Sequence, residues 1–210
     1  MPTNAALLAI LKRVPVIPVL TVDDPYEAVS LARALVAGGL DVLEVTLRTD
    51  GALKAIEAMA REVPEAILGA GTVLTASQVW EAKSAGANFL VSPGSTIKLS
   101  EAAAQSGTPL LPGVATASEA MAMAEMGHHV LKFFPAEPAG GTAYLKSLGA
   151  PLPHLTFCPT GGIDAEKAKS YLALSNVVCV GGSWVTPADA VKAGDWPRIT
   201  ELAKQCAALR

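Results

Sequence analysis

Two short apolar runs carry charged residues at alternate positions. In Asp41-Val-Leu-Glu-Val-Thr-Leu-Arg48, an extended backbone puts Val42, Glu44, Thr46 and Arg48 on one face and Leu43, Val45 and Leu47 on the other. A carboxylate serves as general acid or base, and a guanidinium forks onto a planar anion. In His129-Val-Leu-Lys-Phe-Phe-Pro135, Lys132 shares a face with Val130 and Phe134. Desolvation between apolar neighbours disfavours an ammonium and favours the neutral amine, which is the nucleophile. Each segment has a plainer reading. Glu44 and Arg48 would suit a buried structural ion pair, and Lys132 could bury its stem while its head reaches water. A lysine on the same kind of face as Glu44 tips the balance toward chemistry.

A second set of residues suits an anion. Cys158-Pro-Thr-Gly-Gly-Ile163 and Val180-Gly-Gly-Ser-Trp184 each place a glycine pair after an apolar run. Backbone N–H groups approach an anion closely where no side chain intervenes. Either pair alone would pass for a tight turn. Thr72, in Gly69-Ala-Gly-Thr-Val73, is a candidate polar contact or a plain turn residue, and Ser92-Pro-Gly94 reads as a turn. No metal site is expected. The histidines, His128, His129 and His154, have no His-x-His or His-Glu-x-x-His spacing, and Cys158, Cys179 and Cys206 form no Cys-x-x-Cys pair. The cysteines read as small core residues.

These side chains need a scaffold that brings strand ends together. Eight candidate strands occur: Val14–Val19, Val42–Leu47, Ala66–Gly69, Asn88–Val91, Pro109–Leu111, Val130–Phe133, Thr156–Cys158 and Val177–Val180. Between them run amphipathic stretches at Pro25–Ala37, Leu53–Glu62, Ala76–Ala85, Thr96–Gln105, Ser118–Met126, Thr142–Leu148 and Ala165–Ala173, with Ala5–Arg13 before and Asp195–Ala208 after. Glycines follow several of these stretches, and Asp24-Pro25 suits an N-cap with proline at the first helical position. Alternating strand and helix implies parallel strands with right-handed crossovers. The expectation is one (β/α)8 TIM barrel over residues 1–210 with a short N-terminal helix. A doubly wound sheet would need a glycine-rich turn after the first strand, and Leu20-Thr-Val-Asp-Asp-Pro25 has none. In a barrel, Glu44 and Lys132 point inward and Arg48 sits at the catalytic end. The loops after strands seven and eight are where barrels often hold phosphate.

Composition narrows the partners. Of 210 residues, 51% are hydrophobic and 17% charged, and the net charge is −3. An average domain is roughly 25% charged. Whole-chain disorder is excluded, and a large core or a hidden interface is expected. No basic block suggests nucleic acid or a membrane surface. No apolar run is long enough to span a bilayer, and Lys12-Arg13 follow the first apolar stretch, the wrong order for a signal peptide. With three cysteines, a cytoplasmic setting is expected.

Six segments together, Leu43-Glu-Val-Thr-Leu-Arg-Thr49, Gly69-Ala-Gly-Thr-Val-Leu74, Ser92-Pro-Gly94, Lys132-Phe-Phe-Pro-Ala-Glu137, Phe157-Cys-Pro-Thr-Gly-Gly-Ile163 and Gly181-Gly-Ser-Trp184, resemble the 2-keto-3-deoxy-6-phosphogluconate (KDPG) aldolase and 4-hydroxy-2-oxoglutarate aldolase family in order and spacing. Ala115 stands where members usually have Ser, and Ser95 where an aliphatic residue is usual. The resemblance implies a class I aldolase on a (β/α)8 barrel, a homotrimer using a covalent Schiff base with no metal or other cofactor. It implies cleavage of 2-dehydro-3-deoxy-6-phosphogluconate to pyruvate and D-glyceraldehyde 3-phosphate in the Entner–Doudoroff pathway, with 4-hydroxy-2-oxoglutarate as a further substrate. Lys132 matches the Schiff-base lysine and Glu44 the general acid/base. Arg48 and Thr72 match groups on the pyruvyl carboxylate, and Pro93 and Phe134 its pocket. Thr160, Gly161, Gly162, Gly182 and Ser183 match the phosphate end. The galactonate epimer stays open as substrate. A sugar-phosphate isomerase or epimerase would use inward carboxylates without the lysine, and a non-catalytic phosphate binder would need neither.

Overall fold

The computed structural model describes residues 2–209. Its strands are β1 (Val16–Leu20), β2 (Val42–Thr46), β3 (Ile67–Gly71), β4 (Phe89–Val91), β5 (Leu110–Leu111), β6 (Gly113–Val114), β7 (Val130–Phe133), β8 (Thr156–Pro159) and β9 (Val180–Gly182). The helices are α1 (Pro2–Leu11), α2 (Pro25–Ala37), α3 (Ala52–Glu62), α4 (Ala76–Ser84), α5 (Ile97–Ser106), α6 (Ala117–Glu125), α7 (Gly141–Leu148), α8 (Ala165–Leu172), α9 (Ala188–Ala193) and α10 (Trp196–Ala207). This is a parallel-strand α/β fold with a curled main sheet. Its order is β5-β4-β3-β2-β1-β9, and a second sheet runs β6-β7-β8.

The two sheets share one strand position. Leu110-Leu111 pair with β4, whereas Gly113-Val114 pair with β7. Pro112 lies between them. It has no N–H to give a ladder, and its carbonyl accepts from the Lys132 N–H at 2.9 Å. Between β8 and β9 run two isolated parallel bridges, Phe157 to Val177 and Thr160 to Gly181.

The helices form where capping chemistry starts them. Asp24 accepts from the Tyr26 N–H at 2.8 Å, with Pro25 opening α2. α4 and α6 open with reciprocal capping boxes, Thr75 with Gln78 and Thr116 with Glu119. Thr116 therefore starts α6 two residues ahead of the Ser118 expected from sequence. Leu43 and Val45 of β2 are fully buried in one hydrophobic core, and α3 packs on β2 and β3. No helix among the described residues is long and apolar enough to cross a membrane.

Strand ends depart from expectation where glycine enters the ladder. β3 runs on to Gly71, and β9 is Val180–Gly182 rather than Val177–Val180. Propensity reads glycine as loop, yet here close neighbours demand it. A Cβ on Gly71 would collide with Glu44, on Gly181 with Thr160, and on Gly182 with the Trp184 ring. α9 and the strand residues Gly113-Val114 were also not anticipated.

Candidate active site

Glu44 comes from β2 and Lys132 from β7, on different sheets, and their side chains meet. Lys132 Nζ lies 3.3 Å from Glu44 Oε1. Glu44 is 3% exposed and Lys132 5%, so the pair is nearly dry. Gly71 leaves the space that the Glu44 carboxylate occupies. Phe134 follows Lys132 by two residues, and its ring centroid is 5.2 Å from Nζ, within cation–π range. The Phe134–Pro135 peptide is cis.

Arg48 lies two residues past the end of β2, exposed, and its Nε donates to Thr72 Oγ1 at 3.3 Å. Thr72 has φ +58°, the one positive φ on a non-glycine residue among those described. A threonine there costs about 1–3 kcal/mol. The backbone holds it so that its hydroxyl meets the guanidinium. Thr46, also on the Glu44 face, is buried and used structurally. Its hydroxyl donates to the Leu20 carbonyl at 2.8 Å and lies 3.1 Å from Thr21 Oγ1.

Arg48, Phe134, Thr160, Gly161, Gly162, Gly182 and Ser183 line one cavity of about 230 Å³. Seven of the eleven residues singled out from sequence thus share a wall. Gly161 (φ +106°) and Gly162 (φ +78°) both need a conformation that other residues resist. Thr160 is buried, and its Oγ1 has no hydrogen-bond partner among the described residues. A buried hydroxyl left so is costly unless a ligand takes it. Glu44 and Lys132 do not line this cavity, and Phe134 joins the pair to it. Thr72 reaches it through Arg48. Pro93 lies outside the wall, half-buried after β4, and its carbonyl stands where a Cβ of Gly113 would fall. Ser95 holds that turn, with its Oγ 3.1 Å from Ser92 Oγ.

Sequence reasoning missed Thr21 and Val19, which complete the wall at the end of β1. It also missed the spatial role of Gly71. Thr21 carries no signal, being one threonine in an ordinary turn. Gly71 sits beside Thr72 in a segment already singled out, but only the cross-strand register, Glu44 opposite Gly69 and Thr46 opposite Gly71, reveals what it clears. Among the described residues no three His, Cys, Asp or Glu side chains converge as metal ligands would.

A buried amine paired with a carboxylate, beside a cavity lined by four glycines and an arginine, suits imine chemistry on an anionic carbonyl compound. Known proteins carry the same arrangement of sequence and fold. The profile of the KDPG and KHG aldolases matches residues 7–202. The 2-dehydro-3-deoxy-phosphogluconate aldolase of Pseudoalteromonas atlantica is 54% identical over 92% of this chain and 90% of its own. A crystal structure of KDPG aldolase from Legionella pneumophila, with pyruvate captured as a covalent carbinolamine, superposes with a TM-score of 0.93. It is 46% identical and covers 96% of this chain and 98% of that one. The Zymomonas mobilis KDPG aldolase with 3-phosphoglycerate gives a TM-score of 0.92 at 48% identity, covering 96% of this chain and 95% of that one.

Proposed function

Because the chain belongs to the KDPG and KHG aldolase family, we propose that it cleaves 2-dehydro-3-deoxy-6-phosphogluconate to pyruvate and D-glyceraldehyde 3-phosphate through a Schiff base on Lys132. The observation that carries this reading is the nearly dry Lys132–Glu44 pair, 3.3 Å apart, beside the anion-suited cavity. The captured pyruvate of the Legionella enzyme supports it, at 46% identity.

The neutral Lys132 amine attacks the C2 ketone, and Glu44 is within reach to take up the proton released. That proton and one from solvent turn the carbinolamine oxygen into a departing water, which restores the Glu44 carboxylate and leaves a protonated imine, an electron sink for the C3–C4 bond. Glu44, through a water, removes the C4 hydroxyl proton. The C3–C4 electrons flow to the imine nitrogen, the aldehyde leaves, and a pyruvyl enamine remains. Glu44 returns a proton to C3, and hydrolysis frees pyruvate. Arg48, with Thr72, holds the pyruvyl carboxylate, and Pro93 and Phe134 enclose the pyruvyl carbons. Thr160, Gly161, Gly162, Gly182 and Ser183 hold the phosphate, supplying binding energy that orients the reacting carbons. No metal or other cofactor enters these steps, since the iminium nitrogen receives the electrons.

4-Hydroxy-2-oxoglutarate, which would give pyruvate and glyoxylate, fits the same lysine chemistry without the phosphate contacts. The galactonate epimer differs at one carbon, a difference pockets discriminate by small energies. Kinetics on all three rank them. The reading includes a single (β/α)8 barrel domain, supported by the two β8–β9 bridges and by the strand shared at Pro112. It includes a homotrimer, for which Leu74, Trp80, Ile97 and Met121 offer exposed apolar surface. A cytoplasmic setting completes it, on the odd cysteine count.

Pyruvate with borohydride should label Lys132 irreversibly, and mass spectrometry of the digest locates the adduct. Lys132→Ala should lose both label and turnover. A Lys132→Ala protein that turns over and traps normally ends the Schiff-base reading.

A further inference from the structure

Glu137 closes the Lys132-Phe-Phe-Pro-Ala-Glu137 segment, and the chemistry above gives it no task. We infer that Glu137, acting with Lys167 and Tyr171, is a positioning residue that shapes the Thr160–Gly162 loop for phosphate and registers it to the strand carrying Lys132. The inference rests on the proposed aldolase reading for the identity of the substrate.

Three successive carbonyls of the loop are held, two by the segment after β7 and one by α8. The Ala136 N–H donates to Thr160 O at 2.8 Å, and the Glu137 N–H donates to Gly161 O at 3.1 Å. Lys167 Nζ donates to Gly162 O at 3.1 Å. The same ammonium pairs with Glu137 Oε2 at 3.1 Å, and Glu137 Oε1 accepts from the buried Tyr171 hydroxyl at 2.6 Å. Glu137 thus anchors the lysine that anchors the third carbonyl. Holding the carbonyls this way leaves the Gly161 and Gly162 N–H groups without a protein acceptor among the described residues. Both glycines line the cavity. An array of donors fixed before the ligand arrives is what an anion site requires.

Packing points the same way. A Cβ on Gly162 would press on Glu137 Cβ and Cγ, so the glutamate stem and the glycine are mutually fitted. The Tyr171 hydrogen bond, and then Lys167, hold the Glu137 carboxyl below the usual carboxylate range. Burial, then the Glu137 contact, pushes the Tyr171 phenol up. The clamp therefore stays charged on the carboxylate and protonated on the phenol at neutral pH. Because Ala136 and Glu137 follow Lys132 on one short segment, the clamp fixes the distance between the imine end and the phosphate end of a bound substrate.

Glu137→Gln, Lys167→Met and Lys167→Arg test this in the full-length enzyme. Kinetics are measured on the phosphorylated 2-keto-3-deoxy acid and on 4-hydroxy-2-oxoglutarate, alongside borohydride trapping of pyruvate and competition by inorganic phosphate. Loss of a charge-assisted contact should raise KM for the phosphorylated substrate and the inhibition constant of phosphate about tenfold. KM for the phosphate-free substrate and trapping should stay at the parental values. Lys167→Arg, which keeps the reach and charge, should restore most of the loss. An equal rise for both substrates, or no rise for either, overturns the clamp. A parent that traps no pyruvate overturns the aldolase reading instead. The clamp is then decided by phosphate alone, as a phosphate-dependent rise in Tm present in the parent and weakened in both Glu137→Gln and Lys167→Met. Equal rises in parent and variants overturn it.

Discussion

An alanine at Gly71 would put a methyl group onto the carboxylate of Glu44. The backbone accepts alanine there, since Gly71 is not among the positive-φ glycines. The conflict is one of space alone: the new Cβ overlaps Glu44 Oε1, Cγ and Cδ. Restoring ordinary contact asks the carboxylate to move roughly 1 Å. At 3.3 Å its attraction to Lys132 is about 5 kcal/mol at an effective dielectric constant of about 20, and an added ångström removes about 1 kcal/mol of that. Overpacking adds about 1–3 kcal/mol. Gly71→Ala should therefore unfold more easily in urea by about 2–4 kcal/mol. Its kcat should fall about 100-fold, the usual effect of a misplaced catalytic group. Pyruvate trapping should persist, because Lys132 itself is untouched. Gly94→Ala, with open space around the new Cβ, is the control and should match the parent. A Gly71→Ala enzyme with parental kcat and parental urea midpoint refutes the idea that the missing side chain makes room for Glu44.

Thr160→Val removes the one hydroxyl that, among the described residues, is buried without a partner. It should stabilise the protein by about 1 kcal/mol while weakening inhibition by inorganic phosphate. A destabilised variant with unchanged phosphate inhibition would show that Thr160 Oγ1 awaits no ligand. Burial, and then His129, lowers the pKa of His128 from its ordinary 6.5, and Ser100 Oγ meets its Nε2 at 2.6 Å. As pH falls through 6.5 the unfolded chain takes up this proton first, so stability present above that value is lost until the folded pKa is passed. His128→Gln should lose less stability than the parent between about pH 7 and pH 5, and equal losses in urea titrations would exclude this histidine as a source of acid sensitivity.

How legible the site was depends on whether a side chain or a space does the work. Glu44 and Lys132 stand out because a charged residue in a short buried strand contradicts its neighbours, and period-two alternation says which way it points. Gly161-Gly162 and Gly181-Gly182, the second with Ser183 beside it, stand out as glycine pairs after apolar runs. Gly71 and Gly181 work by what they lack. Their neighbours across the sheet, Glu44 and Thr160, are distant in sequence, so only register reveals the contact. The same cause hid the strand ends. β3 and β9 finish in glycines that propensity assigns to loops, and Pro112 splits one strand position between two sheets. Pro93 shows the reverse limit, because it sits in a recognisable segment yet outside the cavity wall.

The pairing of β1 with β9 has a bearing on how the chain is made. Val16, Ile17 and Pro18 find their partners at Val180, Gly181 and Gly182. During synthesis the ribosome releases β1 long before those residues exist. One edge of the first strand therefore waits, an apolar template open to unwanted pairing. Such a long-range closure slows folding. Glu44 and Lys132 can reach each other while β9 is still being made, but Gly182 and Ser183 arrive with it. A nascent chain would acquire its amine and its carboxylate first, and its grip on phosphate last.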